Sequence, residues 1–193
     1  MKSIKYFIQF LIISTLFLIF KILGINFASY LSGKIISFIG PVFRSKDLIK
    51  SNILKALPNL SHSEVEKITK KMWNNYGRIL AEYIFIKDFR TSKLEKNIQI
   101  KGQEILEEIK KNNEPVIFVS GHFNNFELMA MQIEKSGINL AAIYRPLNNK
   151  FLNLIMERIR KKYICKNQIK KGISGTKQLL SFFKKKTSIA LMI

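Results

Sequence analysis

The feature that most constrains the fold is an alternation of apolar runs with amphipathic stretches that begins at residue 98. Residues 115–120 read PVIFVS, a continuous apolar run that is typical of a parallel strand buried on both faces. Further strands are predicted at 98–100, 140–144 and 187–193, and helices at 104–111, 125–135, 149–163 and 174–184. Strands that alternate with helices predict an α/β domain with a mostly parallel central sheet flanked by helices.

A helical region is predicted before this domain. A short helix over 48–57 ends at Pro58, and a longer one begins at Ser63-x-x-Glu66 and continues to about Phe85. Ser63 and Glu66 fit a capping box, in which the hydroxyl and the carboxylate satisfy backbone N–H groups reciprocally. These signals predict two helices before residue 86.

The N-terminus carries an uncharged apolar segment, Tyr6–Phe20. At about 1.5 Å per residue it is too short to cross a hydrocarbon core of roughly 30 Å. A helix that continues past Lys21 to about Leu31 would be long enough, or the segment lies partly in the membrane interface. A signal peptide with Lys2 and Lys5 as its basic start is an alternative, as is a buried core helix. The cleavage site is a weak match, so we favour a retained membrane anchor.

The charge pattern indicates an anionic environment. The chain has 33 Lys and Arg against 13 Asp and Glu, a formal net charge of +20. Nucleic acid, an anionic membrane surface and an acidic protein all fit this excess. Several cations flank the apolar segment on its C-terminal side, which places the main body in the cytoplasm: Lys34, Arg44, Lys46, Lys50 and Lys55. One Cys and two His exclude a disulfide framework within the chain and argue against a metal site.

Chemistry is expected where the strand at 115–120 ends, because ligands collect at the carboxyl ends of strands in α/β sheets. Gly121 permits a sharp turn there, and Asn124 or Asn125 can cap the next helix. With His122 in the turn and Glu127 in the first helical turn, the carboxylate can hold one ring nitrogen while the other takes a proton from a substrate hydroxyl. The same pair also fits a packed or capping histidine and a helix-start acid favoured by the dipole.

The motif resembles a known family. GHFNNFEL, residues 121–128, resembles the His-x4-Asp/Glu motif of glycerolipid acyltransferases, and VIFVSGHFNNFELMA is similar to one branch, the bacterial lipid A biosynthesis (lauroyl/myristoyl) acyltransferases. Further features match that branch in order: an N-terminal apolar anchor, NILKALPNLSHSEVEKI, NNYGRILAEY, the helix before the His motif and AAIYRPLNN after it. The resemblance covers nearly the whole chain.

The resemblance implies transfer of a fatty acyl chain from acyl carrier protein to a hydroxyl of a lipid A precursor at the cytoplasmic face of the inner membrane. It implies no cofactor or metal, because the acyl carrier protein thioester is a co-substrate. His122 is expected to be the general base and Glu127 its partner. Arg145 is expected to bind substrate phosphate or to stabilise developing negative charge, with a surface ion pair as the alternative. Asn125 is also assigned to substrate binding.

The chain departs from the family in two places. Asn124-Asn125-Phe126 stands where the family usually has Gly-Asn-Trp, so the loop bends only if Asn124 tolerates a glycine-like backbone. The family also continues with an Asp-Gln motif after the strand at 187–193, so we expect a C-terminal truncation. The predicted division is a membrane anchor (1–43), a helical region that packs on the catalytic domain (44–97) and an incomplete acyltransferase core (98–193).

The C-terminal part supplies a basic surface. Residues 161–193 contain nine Lys and no acidic residue. Such a surface can steer an acidic carrier protein and a phosphorylated glycolipid and bind the membrane, although each lysine alone also fits simple solvation. Lys170 and Lys171 beside Gly172 are assigned to substrate binding. Another glycolipid or lysophospholipid acceptor, a non-catalytic membrane-binding protein and a nucleic-acid-binding protein are the alternatives, the last supported by charge alone.

Overall fold

The computed structural model describes residues 2–192, which form an α/β structure with a parallel four-stranded sheet flanked by helices. The helices are α1 Lys2–Leu23, α2 Ile25–Ile39, α3 Lys46–Ala56, α4 His62–Glu82, α5 Ile86–Thr91, α6 Gln103–Asn112, α7 Glu127–Lys135, α8 Lys150–Tyr163 and α9 Ile173–Lys184. The strands are β1 Ile117–Ser120, β2 Leu140–Tyr144, β3 Asn167–Lys170 and β4 Ser188–Met192. The predicted fold class is confirmed.

The chain forms two compact units, which are described separately. The helical unit is Thr15–Phe85, and the sheet unit combines Met1–Ser14 with Ile86–Ile193. The division into anchor, helical region and core stays a prediction.

Two helices, not one, form the apolar N-terminal region. Gly24 has φ 75° and separates α1 from α2, so the alternative of one continuous helix to about Leu31 is wrong. A left-handed backbone at this position suits glycine, which has no Cβ to clash. Within residues 2–192, α1 alone is long and apolar enough to cross a membrane, with a mean hydropathy of 2.1 over its most apolar window. A signal sequence meets the same criteria, so the retained anchor stays a prediction.

Helices α2 and α4 pack through small side chains. Ala28, Ser29, Ser32 and Gly33 are buried on α2, and Gly77 is buried on α4. A Cβ atom at Gly77 would lie 2.3 Å from the backbone oxygen of Ser32. Small residues allow the two backbones to approach this closely.

The start of α4 corrects the predicted capping box. Ser61 is the N-cap, its N–H donates to Glu64 Oε2 at 2.8 Å, and the Glu64 N–H donates to Ser61 Oγ at 3.4 Å. The predicted pair, Ser63 and Glu66, lies inside the helix. Both pairs have the same spacing, so the motif alone does not distinguish them.

The sheet has the strand order β1-β4-β2-β3, and every pairing is parallel. Ala141, Ile169 and Ile189, from three strands, form a buried cluster against which Leu179 and Phe182 of α9 pack. Strand β3 is absent from the prediction because its sequence, NQIK, is mostly polar. The interior strands β2 and β4 occupy their predicted positions.

Two predicted features of the sheet unit are wrong. Residues 98–100 form no strand. Strand β1 is not buried on both faces, because Ile117 and Val119 are 54% and 57% exposed. It lies at an edge of the sheet, and the preceding helix α6 contributes no buried residue that would cover it.

Candidate active site at the carboxyl edge of the sheet

His122 lies in a tight turn directly after β1. The Phe123 N–H donates to Gly121 O at 2.9 Å, and the Phe126 N–H donates to Asn124 O at 3.0 Å. Asn124 has φ 45°. This asparagine therefore adopts the left-handed backbone at a position where the family usually has glycine. Helix α7 starts with Phe126 as its N-cap and no side-chain cap, so the predicted asparagine cap is wrong.

The imidazole of His122 is exposed at this edge. Its ring contacts the edge of the Phe126 ring, with centroids 4.8 Å apart and an interplanar angle of 69°. Phe126 therefore supports one side of the imidazole, and the exposed His122 can be reached by a ligand.

Glu127 is buried and pairs with an arginine that the sequence analysis did not single out. Its Oε1 accepts hydrogen bonds from Arg160 Nε at 2.8 Å and Nη2 at 2.5 Å. Among residues 2–192, no hydrogen bond or ion pair joins Glu127 to His122, so the predicted His–Glu pair stays a prediction. Arg160 was missed because it lies 33 residues away from Glu127, on a different helix, and no local motif connects the two.

Arg160 connects Glu127 to a second carboxylate through Tyr144. The guanidinium carbon lies 5.6 Å from the centroid of the Tyr144 ring, and the Tyr144 hydroxyl donates to Glu157 Oε1 at 2.5 Å. Burial, with the Glu157 hydrogen bond, raises the pKa of Tyr144 well above its usual value. The same hydrogen bond lowers the pKa of Glu157. The tyrosine therefore remains a donor and the glutamate a charged acceptor.

Glu157 also connects the loop that follows β2 to the end of β3. It accepts a hydrogen bond from Asn153 Nδ2 at 2.8 Å and lies 3.3 Å from Lys170 Nζ. Asn153 Oδ1 in turn accepts the Leu147 N–H at 2.9 Å, which fixes the loop that carries Arg145. Asn153, Glu157 and Arg160 recur at steps of four and three on α8, so one face of this helix contacts the groups around the predicted site.

The predicted substrate-binding cations lie together at the same edge. Tyr144 of β2 pairs in register with Lys170 of β3, and the Lys171 N–H donates to Tyr144 O at 2.9 Å. Arg145 directly follows Tyr144 and is exposed, and in the described chain it forms no ion pair. Strand β4 separates β1 from β2, so His122 and Arg145 follow strands about 10 Å apart.

Asn125, also assigned to substrate binding, lies in the turn between His122 and Glu127. Its backbone oxygen accepts the Leu128 N–H at 3.1 Å. Its side chain is partly buried beside the start of α7, so the structure places it near the other two motif residues.

A cavity of about 40 Å³ lies beneath this edge, lined in part by Phe126, Glu127, Tyr144 and Arg160. Ligand sites usually measure 300–1,000 Å³ as a rough guide, so this cavity alone does not hold a substrate. Within residues 2–192, no group of three His, Cys, Asp or Glu side chains is placed to hold a metal ion.

Comparisons with known proteins agree on one family. The family model for the bacterial lipid A biosynthesis acyltransferases matches residues 1–193. The lipid A biosynthesis myristoyltransferase of Escherichia coli (strain K12) is 25% identical over 131 residues, which is 68% of this chain and 40% of that protein. Lipid A biosynthesis acyltransferase 2 of Shigella flexneri is 28% identical over 112 residues, or 58% of this chain and 36% of that protein. The matched region therefore spans less than half the length of these relatives.

Proposed function

The chain belongs to the bacterial lipid A biosynthesis acyltransferases, and we propose that it is a membrane-bound O-acyltransferase that moves a fatty acyl chain from acyl carrier protein to a hydroxyl of a lipid A precursor. The observation that carries this proposal is the exposed His122 imidazole, which lies at the carboxyl end of β1 inside the motif GHFNNFEL. An accessible imidazole at that edge can serve as a general base.

In the proposed reaction, His122 takes the proton of the acceptor hydroxyl as the oxygen attacks the thioester carbonyl. The tetrahedral intermediate then expels the carrier thiolate, which receives the proton from the imidazolium. An ester bond forms, a thioester bond breaks and no proton is lost, so no covalent enzyme intermediate is required.

Glu127 is proposed to hold the imidazole in the orientation that this reaction needs. Arg160 Nε and Nη2 both donate to Oε1, so Oε2 is the oxygen that we assign to the imidazole. Rotation of His122 in the substrate complex lets Oε2 accept one ring N–H, which leaves the other nitrogen to accept the proton. Catalytic hydrogen bonds commonly tighten in this way only when substrate is bound.

Arg145, Lys170 and Lys171 are proposed to bind the phosphate of the acceptor, with Asn125 as a further polar contact. Their support is their position on adjacent strand ends at the edge that carries His122. The lysines of residues 161–186 are proposed to steer the acidic carrier protein, because a surface of one sign raises the rate of encounter with an oppositely charged partner.

We place the protein on the cytoplasmic face of the inner membrane, with α1 lying in the interface and not spanning it. The start of α1 contacts the sheet unit: Asn149 Nδ2 donates to Tyr6 O at 2.8 Å, and the Phe7 and Phe151 rings have centroids 5.7 Å apart. A spanning α1 would need a second crossing before residue 86 to return the chain to this unit. None of the other helices in residues 2–192 is long and apolar enough for one.

The test compares the two histidines of the chain. The complete gene product is incubated with acyl carrier protein thioesters and a lipid A precursor, and the products are weighed by mass spectrometry. His122→Ala should reduce transfer by about 10²–10⁴-fold, the usual contribution of a general base. His62→Ala is the matched control, because His62 is exposed at the start of α4 and should leave transfer unchanged. Undiminished transfer in the folded His122→Ala variant refutes the assigned role.

A further inference from the structure

A second basic site lies in the helical unit, on residues that the proposed reaction does not use. A groove of about 480 Å³ runs between α2 and α4 and is lined by five cations: Lys34, Lys67, Lys70, Lys71 and Arg78. The remaining lining residues are Ser or Asn, and none is acidic. The groove is within the usual size of a ligand site.

The cations converge because of helix periodicity. On α4, residues 67, 70, 71, 74 and 78 recur at steps of three, four and seven and therefore share one face. Lys34 comes from α2, and its Nζ lies 5.5 Å from the Tyr30 ring centroid. Arg78 is oriented by its Nε–H, which donates to Asn74 Oδ1 at 3.0 Å. Two helices thus supply one groove.

The groove holds concentrated positive charge. Among residues 2–192, none of the five cations forms an ion pair with a carboxylate. Like charges that line one groove repel one another, and a bound anion would offset this repulsion. Neutral Ser and Asn side chains add hydrogen-bond donors, which suit phosphate oxygens.

Exposed apolar side chains beside the groove identify the kind of anion. Phe27, Lys34 and Phe38 lie on one face of α2, and Phe27 and Phe38 are 55% and 85% exposed. Val42 and Phe43, just after α2, are 86% and 73% exposed. A soluble anion would leave these side chains in water. A lipid surface would bury the apolar side chains among its acyl chains and place its anionic headgroups beside the cation.

We propose that the groove between α2 and α4 binds the phosphate headgroup of an anionic membrane phospholipid while the exposed face of α2 lies among its acyl chains. The proposal is independent of the acyl transfer reaction. It assigns a lipid-binding site to the helical unit, on residues that the proposed acyl transfer does not use.

The test uses single short-chain lipid molecules and not vesicles, because α1 would hold every variant on a vesicle whether or not the groove binds a headgroup. The full chain in neutral detergent is titrated with dioctanoyl-phosphatidylglycerol, and bound lipid is counted by native mass spectrometry. Dioctanoyl-phosphatidylcholine controls for lipid without net charge, and glycerol 3-phosphate for a phosphate without acyl chains. One anionic lipid should bind per chain, at least about 10-fold more tightly than either control.

Matched triple variants distinguish a site from diffuse charge. K67Q/K70Q/K71Q should weaken binding of the anionic lipid by about 100-fold, since each lysine near a lipid surface contributes about fivefold. K93Q/K96Q/K101Q removes the same charge from exposed positions of the sheet unit and should change affinity by less than about threefold. K67R/K70R/K71R keeps the charge and should bind as the wild type does, and Trp73 fluorescence verifies that the helical unit is folded in each variant.

Three outcomes overturn the proposal. Equal losses in the two glutamine variants would show that net charge alone attracts the lipid. Glycerol 3-phosphate binding as tightly as the lipid would identify a site for soluble phosphate. A short DNA duplex or an acidic peptide that displaces the lipid and binds more tightly would identify a different class of partner.

Discussion

The ion pair between Glu127 and Arg160 permits a quantitative prediction about the sheet unit. The two side chains are only 8% and 14% exposed, and Arg160 donates two hydrogen bonds to one oxygen of the Glu127 carboxylate. Removal of Arg160 would leave Glu127 as a buried carboxylate without a cation. Arg160→Met is a suitable perturbation, because methionine keeps much of the side-chain volume.

The expected magnitude follows from burial. Unit charges about 4 Å apart attract by about 4 kcal/mol at an effective dielectric constant of about 20, and the desolvation of both groups offsets much of this. Breaking such a pair on one side costs about 3–5 kcal/mol, because the remaining charge is uncompensated. Arg160→Met and Glu127→Leu should each lower the free energy of unfolding of the sheet unit by that amount. The double variant should lose less than the sum of the two, by about 1–3 kcal/mol.

Hydrogen exchange of the β2 and β4 amides in increasing urea is the appropriate assay. The only tryptophan, Trp73, lies in the helical unit and cannot report on the sheet unit. Additive losses in the double variant would contradict the reasoning, since they would mean that the two groups do not interact energetically.

Three further experiments test the packing and the titrating groups. Gly77→Ala should destabilise the helical unit by about 1–3 kcal/mol, because its Cβ meets backbone, as followed by thermal unfolding. Gly33→Ala, whose Cβ meets the movable end of an asparagine, should cost less, and equal losses would contradict this reasoning. The pKa of Glu157 is lowered chiefly by the Tyr144 hydrogen bond, so its stabilisation is complete at neutral pH and is lost as the pH falls below the ordinary glutamate range. The stability difference between wild type and Glu157→Gln should therefore narrow from pH 7 to about pH 3, and a constant difference in urea midpoints would exclude this linkage. Burial raises the pKa of the Cys165 thiol to about 11, so maleimide labelling at pH 8 should be about 100-fold slower in the folded chain than in urea, and equal rates would show that the thiol is accessible.

Local patterns determined the elements that were predicted correctly. Strand β2 begins and ends at its predicted residues, because a short apolar run between a glycine turn and a polar loop has few alternatives. The helices with regular apolar spacing were predicted to within a few residues, because their apolar residues recur at steps of three and four. The turn after β1 could also be located, since Gly121 and His122 follow an apolar run directly and Asn124 stands where the family has glycine.

Tertiary contacts decided the features that local patterns could not specify. Strand β3 exists because β2 supplies its hydrogen bonds, although NQIK has little strand character. The capping box begins at Ser61 because α4 starts at His62, and both candidate pairs match the motif. The exposure of Ile117 depends on which helices cover the edge of the sheet, which an apolar run does not encode.

The candidate site divides in the same way. The sequence by itself determined that His122 follows a strand, that Glu127 starts a helix, and that Arg145 and Lys170 are available as cations, because each depends on a motif or on neighbours in the chain. Only the tertiary structure placed Arg160 against Glu127, from 33 residues away. It also assembled the cations of α2 and α4 into one groove. Residue spacing within one element predicts which side chains share a face, but partners from different elements meet only when the helices and strands have packed.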